Sequence, residues 1–165
     1  MSADMCTIAD YPSGLKLKFI LTKTTSTAFH LNNKETKRQL AVSDRANTLP
    51  YNSNPTYLGV KLDRQLTYKQ HVEGLCQKIL ACNNLLRCFA GSSSGASAPT
   101  VRTSTLAIFS AAEYVAPIWC RSCHSKKLDF ALNDTLRLIT GCLRSTPTGL
   151  LPILAGIAPP NLRRE

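Results

Sequence analysis

The chain has 165 residues, 44% of them hydrophobic and 18% charged, enough apolar material for one ordinary domain or two small lobes and too much for wholesale disorder. Twenty Lys and Arg stand against ten Asp and Glu, a formal net charge of +10 spread along the chain with no basic tail, which points to a polyanionic partner met by a folded surface. Asp4 interrupts the N-terminal segment and no apolar run reaches membrane-spanning length, so neither a signal peptide nor a transmembrane helix is expected, and the odd count of seven cysteines reads as free thiols in a reducing compartment.

In chain order, Ser2 to Tyr11 predicts a short helix with Met5, Ile8 and Ala9 on one face, stopped by Pro12-Ser13-Gly14. Leu15 to Leu21 and Thr24 to Leu31 predict two strands around a turn at Thr22-Lys23. Asn32 to Arg45 is polar and mixed, a loop or an extra hairpin. Asn52 to Pro55 is a turn cluster, and Tyr57 to Leu62 reads as a strand. The period then changes: Val72, Leu75, Cys76, Ile79, Leu86, Phe89 and Ala90 fall at helical spacing, predicting an amphipathic helix over 68–90. Gly91 to Gly95 breaks it. Ser97 as N-cap and Pro99 in the first turn open a second helix to about Val115, which Pro117 ends or kinks. Leu128, Leu132, Leu136 and Ile139 mark a third helix closing at Gly141, and Leu150 to Ile157 form a last apolar run before Pro159-Pro160. Strands followed by a helical cluster predict an α+β fold, divided at 1–67 and 68–165, whose helical core holds Leu75, Ile79, Leu86, Phe89, Ile108, Leu132, Leu136 and Ile139.

Among possible sites, Cys120-Arg-Ser-Cys123-His124 matches the C-x-x-C-H haem attachment sequence, and Cys120 and Cys123 have zinc-ligand spacing. Cys142 stands alone, His30 and His71 lie in other elements, and no haem or metal is expected. Cys76, Cys82 and Cys88 recur every six residues, a spacing that scatters thiols around a helix and makes them small, buried or partly buried side chains. Asp4, Asp10, Asp44, Asp63, Asp129 and Asp134 are each isolated, so there is no paired carboxylate for a two-metal site. Lys61, Arg64, Lys69, Lys78 and Arg87 surround the strand-to-helix junction. The group from Lys61 to Lys69, interleaved with Tyr57 and Tyr68, is the better candidate for phosphate contact, because Lys78 and Arg87 fall on nearly opposite sides of the helix.

The blocks PTYLGVKLDRQLTYKQHVEGLCQKI, NNLLRCFAG, AEYVAPIW, RLITGCLRSTPT and LLPILAGIAPPNLRR, in this order, resemble the C-terminal palm and thumb portion of non-LTR (LINE-type) retrotransposon reverse transcriptases. SADMCTIADY is similar to the helix after the family's catalytic aspartates, and LKFILTKTTSTAFHLNN to its next palm block, with Ile20-Leu21 where Asn-Pro is usual. The resemblance implies a partial palm sheet of short antiparallel strands over 1–67, ending in a primer-grip-like strand, then a helical thumb-like domain over 68–165 truncated at its C-terminal end. Tyr57, Leu58 and Gly59 would belong to the primer grip. With Lys61, Arg64, Lys69 and Lys78 they would hold an RNA/DNA template–primer duplex weakly and without sequence preference. The family's Asp-Asp block and the Mg2+ it holds belong to the complete polymerase, so this chain alone is expected to be inactive. Its compartment is open between nucleus and cytoplasm. A non-enzymatic basic helical module binding nucleic acid or protein is the alternative.

Overall fold

The computed structural model describes residues 11–12, 15, 20–31, 39, 41–44, 47–90 and 95–164. The chain separates into two compact units, Met1–Leu66 and Thr67–Glu165. The architecture is α+β: two short antiparallel strand pairs in the first unit and a helical cluster in the second.

In the first unit, residues 2–10 and 16–19 lie outside the described residues, and with them most of the expected N-terminal helix and the first expected strand. The expected hairpin around Thr22-Lys23 is corrected: Leu21–Lys23 form a single 3-10 turn. The backbone N–H of Lys23 and the hydroxyl of Thr24 both donate to the carbonyl of Ile20, at 3.2 and 2.9 Å. Two donors converging on one carbonyl curl the chain and remove the extended geometry that a strand ladder needs. Among the described residues, the segment 24–31 makes no strand but an isolated parallel bridge, Ser26 to Tyr51, with Ser26 N–H donating to Pro50 and Asn52 N–H donating to Ser26, both at 2.9 Å. A hairpin straddles the end of the polar stretch, β1 (Ser43–Asp44) within it pairing with β2 (Asn47–Thr48) beyond it, extended by Leu49 N–H donating to Val42 at 2.8 Å. The strand expected over 57–62 is itself a hairpin, β3 (Thr56–Tyr57) paired with β4 (Val60–Lys61).

The second unit begins with α1 (Lys69–Phe89), α2 (Ala98–Ala112) and a four-residue α3 (Ala116–Trp119), followed by α4 (Ser125–Thr140), α5 (Leu151–Ala155) and α6 (Pro160–Arg163). Ser97 stands at the N-cap of α2, as its sequence position suggests. Its hydroxyl, however, pairs with the Thr100 hydroxyl at 2.8 Å and makes no bond to a backbone N–H. The second helix is corrected: α2 ends at Ala112, short of Val115, and Pro117, expected to end or kink it, lies instead in the first turn of α3, the chain reversing between them through Val115 at φ +54. Gly141 closes α4 at φ +67, a conformation that glycine reaches without strain.

The core is built by α1 and α4, with α2, α3 and α5 closing over it. Val72, Leu75 and Ile79 of α1 meet Leu128, Ala131, Leu132 and Leu136 of α4, together with Phe109, Ala112, Ala116, Trp119, Leu151 and Ile157. Helix α3 contributes through spacing: residues three apart share a helix face, so its four residues deliver both Ala116 and Trp119 inward. Of the predicted core, Leu75, Ile79, Leu86, Leu132 and Leu136 are buried, and Ile108 and Ile139 pack against it half-buried. Phe89 is corrected: it is 59% exposed, at the C-terminal end of α1. One polar group crosses the core. Thr135 Oγ1 lies 2.8 Å from Asn83 Oδ1, and the Asn83 amide reaches the carbonyl of Ala131 at 3.5 Å. Among the described residues, no helix is long and apolar enough to cross a membrane.

Candidate nucleic-acid interface

Tyr57, Leu58, Gly59 and Lys61 sit together on the β3–β4 hairpin. Its register, Thr56 opposite Lys61 and Tyr57 opposite Val60, leaves Leu58-Gly59 as a two-residue loop. Their φ values of +47 and +82 are both positive, the requirement of a type I′ turn, whose twist matches that of the flanking strands. Gly59 is therefore needed for the turn itself, whatever else approaches it. Leu58 occupies the same left-handed region with a full side chain, and it stands out from the hairpin tip beside Tyr57, at 70% and 67% exposure. Val60 points inward and Lys61 outward, as strand alternation requires. Arg64 follows half-buried, and its carbonyl accepts the N–H of His30 at 3.1 Å. Leu58→Asn is expected to stabilise this hairpin by about 1 kcal/mol, because asparagine tolerates the left-handed region and leucine does not. Slower amide exchange at Val60 is the readout; unchanged or faster exchange counts against this account of the turn.

Lys69 and Lys78 belong to the helical unit, where the grouping differs from the sequence expectation. Lys127 Nζ pairs with Glu73 Oε1 at 3.0 Å, and the Ser122 hydroxyl donates to the carbonyl of Thr67. The N-terminal ends of α1 and α4 therefore lie side by side. Lys69 precedes Glu73 by one helical turn, and His124 immediately precedes α4. The hydrogen bond from Lys127 holds the Glu73 carboxyl below its ordinary 4.5, against a smaller upward push from burial, and the charges of Lys127, Lys69 and His124 add to the lowering. Lys127, Lys69 and His124 thus lie around one carboxylate, and Lys126, beside Lys127 in sequence, is exposed. Lys127 is brought near Lys69 by the Glu73 carboxylate that both face. Lys78, grouped with Lys69 for the duplex, lies nine residues on and so about 180° around α1 from it, and its side chain rims a groove with Ile79, Ile108 and Ala111.

Every described carboxylate of the helical unit is spoken for. Glu73 binds Lys127, Asp134 binds Arg137, Glu113 binds Arg163 and Arg164, and Asp129 binds Arg164. Lys69, Lys78, Arg87, Arg102, Arg121, Lys126 and Arg144 enter none of these ion pairs, so the field left over is positive. Arg163 and Arg164 are structural cations. Arg163 grips both oxygens of Glu113 at 2.8 Å, donates to Ala158 and lies 4.6 Å from the Phe109 ring centre; Arg164 lies 5.3 Å from that of Trp119.

Glu73→Gln follows from this geometry as a test. The lowered Glu73 pKa keeps the carboxylate ionised, and the ion pair intact, near neutrality, so a phosphate reaching Lys127 would have to displace Glu73. The amide variant releases that lysine. Duplex affinity is expected to rise, with the salt dependence steeper by about one unit on a log–log plot. An unchanged slope means that Lys127 does not meet phosphate.

Cys120 is half-buried and Cys123 exposed, in the turn between α3 and α4. Among the described residues, no group of three His, Cys, Asp or Glu side chains is placed to hold a metal ion. Cys76 and Cys82 are half-buried, and burial raises the Cys76 thiol; Cys88, expected to be buried or partly so, is exposed. Glu73, Trp119 and the Glu113–Arg163–Arg164 cluster were not singled out from sequence. The ion pairs span about fifty residues and leave no periodic trace. The spacing of Ala116 and Trp119 was the available signal for the tryptophan. Compared with family models, curated proteins and solved structures, the chain matches none.

Proposed function

We propose that the chain is the palm-to-thumb portion of a non-LTR retrotransposon reverse transcriptase without the catalytic aspartates, and that it binds template–primer duplex through phosphate contacts. The observation that carries the binding reading is the charge arrangement of the helical unit, where the carboxylates are tied internally and Lys69, Lys126 and Arg121 are left to solvent-borne anions. The ordered sequence blocks support the family reading, as does a tight hairpin at the Tyr57-Leu58-Gly59 block followed directly by helices. Contacts of this kind hold a duplex without reading bases, which suits a copying enzyme. Alone, the chain has no paired carboxylates for nucleotidyl transfer, and Mg2+ chemistry belongs to the complete polymerase.

The test is affinity for a labelled RNA–DNA hybrid across a salt series. Three or four phosphate contacts give a log–log slope of about −3 to −4 on a B-form duplex, somewhat shallower on other forms. Lys69→Ala with Lys126→Ala is expected to remove nearly two units of slope, and Lys61→Ala with Arg64→Ala to remove a comparable amount. Arg102→Ala with Arg144→Ala is expected to change it little. Equal losses from all three pairs mean a diffuse basic surface, and a slope near zero means that nucleic acid is not the partner.

A further inference from the structure

The segment between α3 and α4 carries two cysteines, Cys120 and Cys123, separated by Arg121 and Ser122. The chain turns tightly here. Ser122 N–H donates to Trp119 at 2.9 Å and Ser125 N–H to Ser122 at 3.1 Å, two successive turns each closed over three residues. Cys120 and Cys123 are the second residues of those two turns, and side chains three apart in 3-10 geometry stand one above the other. The middle of the segment is pinned. The Ser122 hydroxyl donates to the carbonyl of Thr67 and accepts the N–H of His124 at 3.2 Å. Cys123 is exposed and Cys120 half-buried, its thiol 3.8 Å from the carbonyl of Pro117, a weak bond for a side chain to give up. The α1 thiols cannot pair with one another: Cys76, Cys82 and Cys88 are six residues apart, about 9 Å along the helix axis and beyond disulfide reach. Cys142 stands at the opposite end of α4 from Cys123.

We propose that Cys120 and Cys123 form a reversible dithiol–disulfide pair that exchanges with small anionic disulfides such as oxidised glutathione. Cys123 gives up its proton and its sulfur attacks one sulfur of the oxidant. The oxidant's S–S bond breaks, and the departing sulfur leaves with the electron pair and takes a proton. Cys120 then gives up its proton and attacks the Cys123 sulfur, forming the Cys120–Cys123 bond and expelling the second glutathione as a thiol. Two protein thiols are oxidised and one disulfide is reduced to two thiols, with no other electron acceptor. Cys123 attacks because it is open to solvent, and Cys120 resolves the adduct because it is held on the next turn. Arg121 and Lys126, both exposed, flank Cys123 and draw an oxidant that carries several carboxylates. The acidic side chains closest to this segment, Glu73 and Asp129, are tied to Lys127 and Arg164. Two thiols complete a disulfide, whereas zinc needs further ligands, and among the described residues no third is placed beside them. In a reducing compartment such a bond is transient and follows the oxidant level. The inference does not rest on the duplex reading, since no step involves phosphate.

The test incubates the full chain with oxidised glutathione and follows it by intact mass and tryptic mapping. The expected product has lost two hydrogens at this pair. Trypsin cuts after Arg121, inside the loop, so the bridge holds Thr103–Arg121 and Ser122–Lys126 together until dithiothreitol separates them. Cys120→Ser is expected to stop at the first step, with a full equivalent of glutathione on Cys123. In the unsubstituted chain that adduct should stay below about a tenth of an equivalent, because the second thiol removes it. Cys123→Ser is expected to slow oxidation of Cys120 by about tenfold, the remaining thiol being half-buried. Cys88→Ser removes an exposed thiol with no partner on its helix and should leave the bridge unchanged. All three positions lie outside the buried core, and serine has nearly the size of cysteine, so folding is preserved. An adduct that persists on Cys123 of the unsubstituted chain, equal oxidation of Cys120 with and without Cys123, or a bridge from Cys123 to any other cysteine overturns the proposal. No readout involves nucleic acid, so failure here and failure of the duplex reading are told apart.

Discussion

Glu113→Ala is expected to destabilise the helical unit by about 3–5 kcal/mol, the usual effect of removing one partner from a buried charge cluster. The Glu113 side chain is 9% exposed and those of Arg163 and Arg164 are 14% and 9%, so the small values typical of surface ion pairs do not apply. Glu113 receives Arg163 through both oxygens and Arg164 at 3.1 Å, and each guanidinium also lies against an aromatic ring. Without the carboxylate, Arg163 keeps the Ala158 carbonyl and Arg164 keeps Asp129 at 2.7 Å, so two cations remain largely buried with half their partners. The measurement is the urea midpoint followed by circular dichroism. Arg163→Lys is expected to recover little of the wild-type stability, since an ammonium cannot engage both oxygens in the fork geometry. In a double-mutant cycle, Glu113→Ala and Arg163→Ala should be strongly non-additive. A Glu113→Ala loss under about 1 kcal/mol would show the cluster to be solvated.

Trp119→Ala is expected to cost about 3–5 kcal/mol, through lost apolar burial and the cavity left behind. Trp119 is fully buried, with His71 6.5 Å from it between ring centres and its Nε1–H donating to the carbonyl of Tyr114 at 3.1 Å. That hydrogen bond returns to the reversal through Val115, so the ring both fills the core and fixes the turn that α3 needs. Domains of this size are stable by about 5–15 kcal/mol in total, so the alanine variant should lie near the edge of folding at ambient temperature. Trp119→Phe retains most of the apolar volume and loses the donor, and a smaller loss is expected. Comparable losses from Phe and Ala would mean that the hydrogen bond, and not the volume, dominates.

The helical unit was more legible in the sequence than the strand-bearing one, and the reason is period. A 3.6-residue repeat over the twenty-one residues of α1 overdetermines its inward face, and the break at Gly91 to Gly95 and the cap at Gly141 bound the pattern. The two-residue strands β1 to β4 are too short to carry an alternation, and the 3-10 turn at Leu21–Lys23 depends on Thr24 returning to Ile20, a local hydrogen bond with no apolar signature. Phe89 was misassigned because periodicity finds one face of a helix and cannot say where its covering ends. In the candidate site, the hairpin residues were found as a group because they are contiguous. The neighbourhood of Lys69 and Lys127 was missed because it is made by the packing of α1 on α4, across 54 residues between Glu73 and Lys127. Lys78 was grouped with Lys69 by sequence proximity, which a helix converts into opposition.

The Asn83–Thr135 contact has a consequence for how the two longest helices find each other. Apolar ridges alone permit several alignments, since sliding one helix past another by a turn exchanges one aliphatic contact for a similar one. Moving α1 by four residues either way would set Ile79 or Arg87 opposite the Thr135 hydroxyl. The first cannot answer it, and the second would bring a charge into a space where Asn83 is 1% exposed. Asn83 itself would face aliphatic neighbours with its amide unmatched. The pair therefore acts as a vernier: it adds little to the strength of the join and rejects every setting but one.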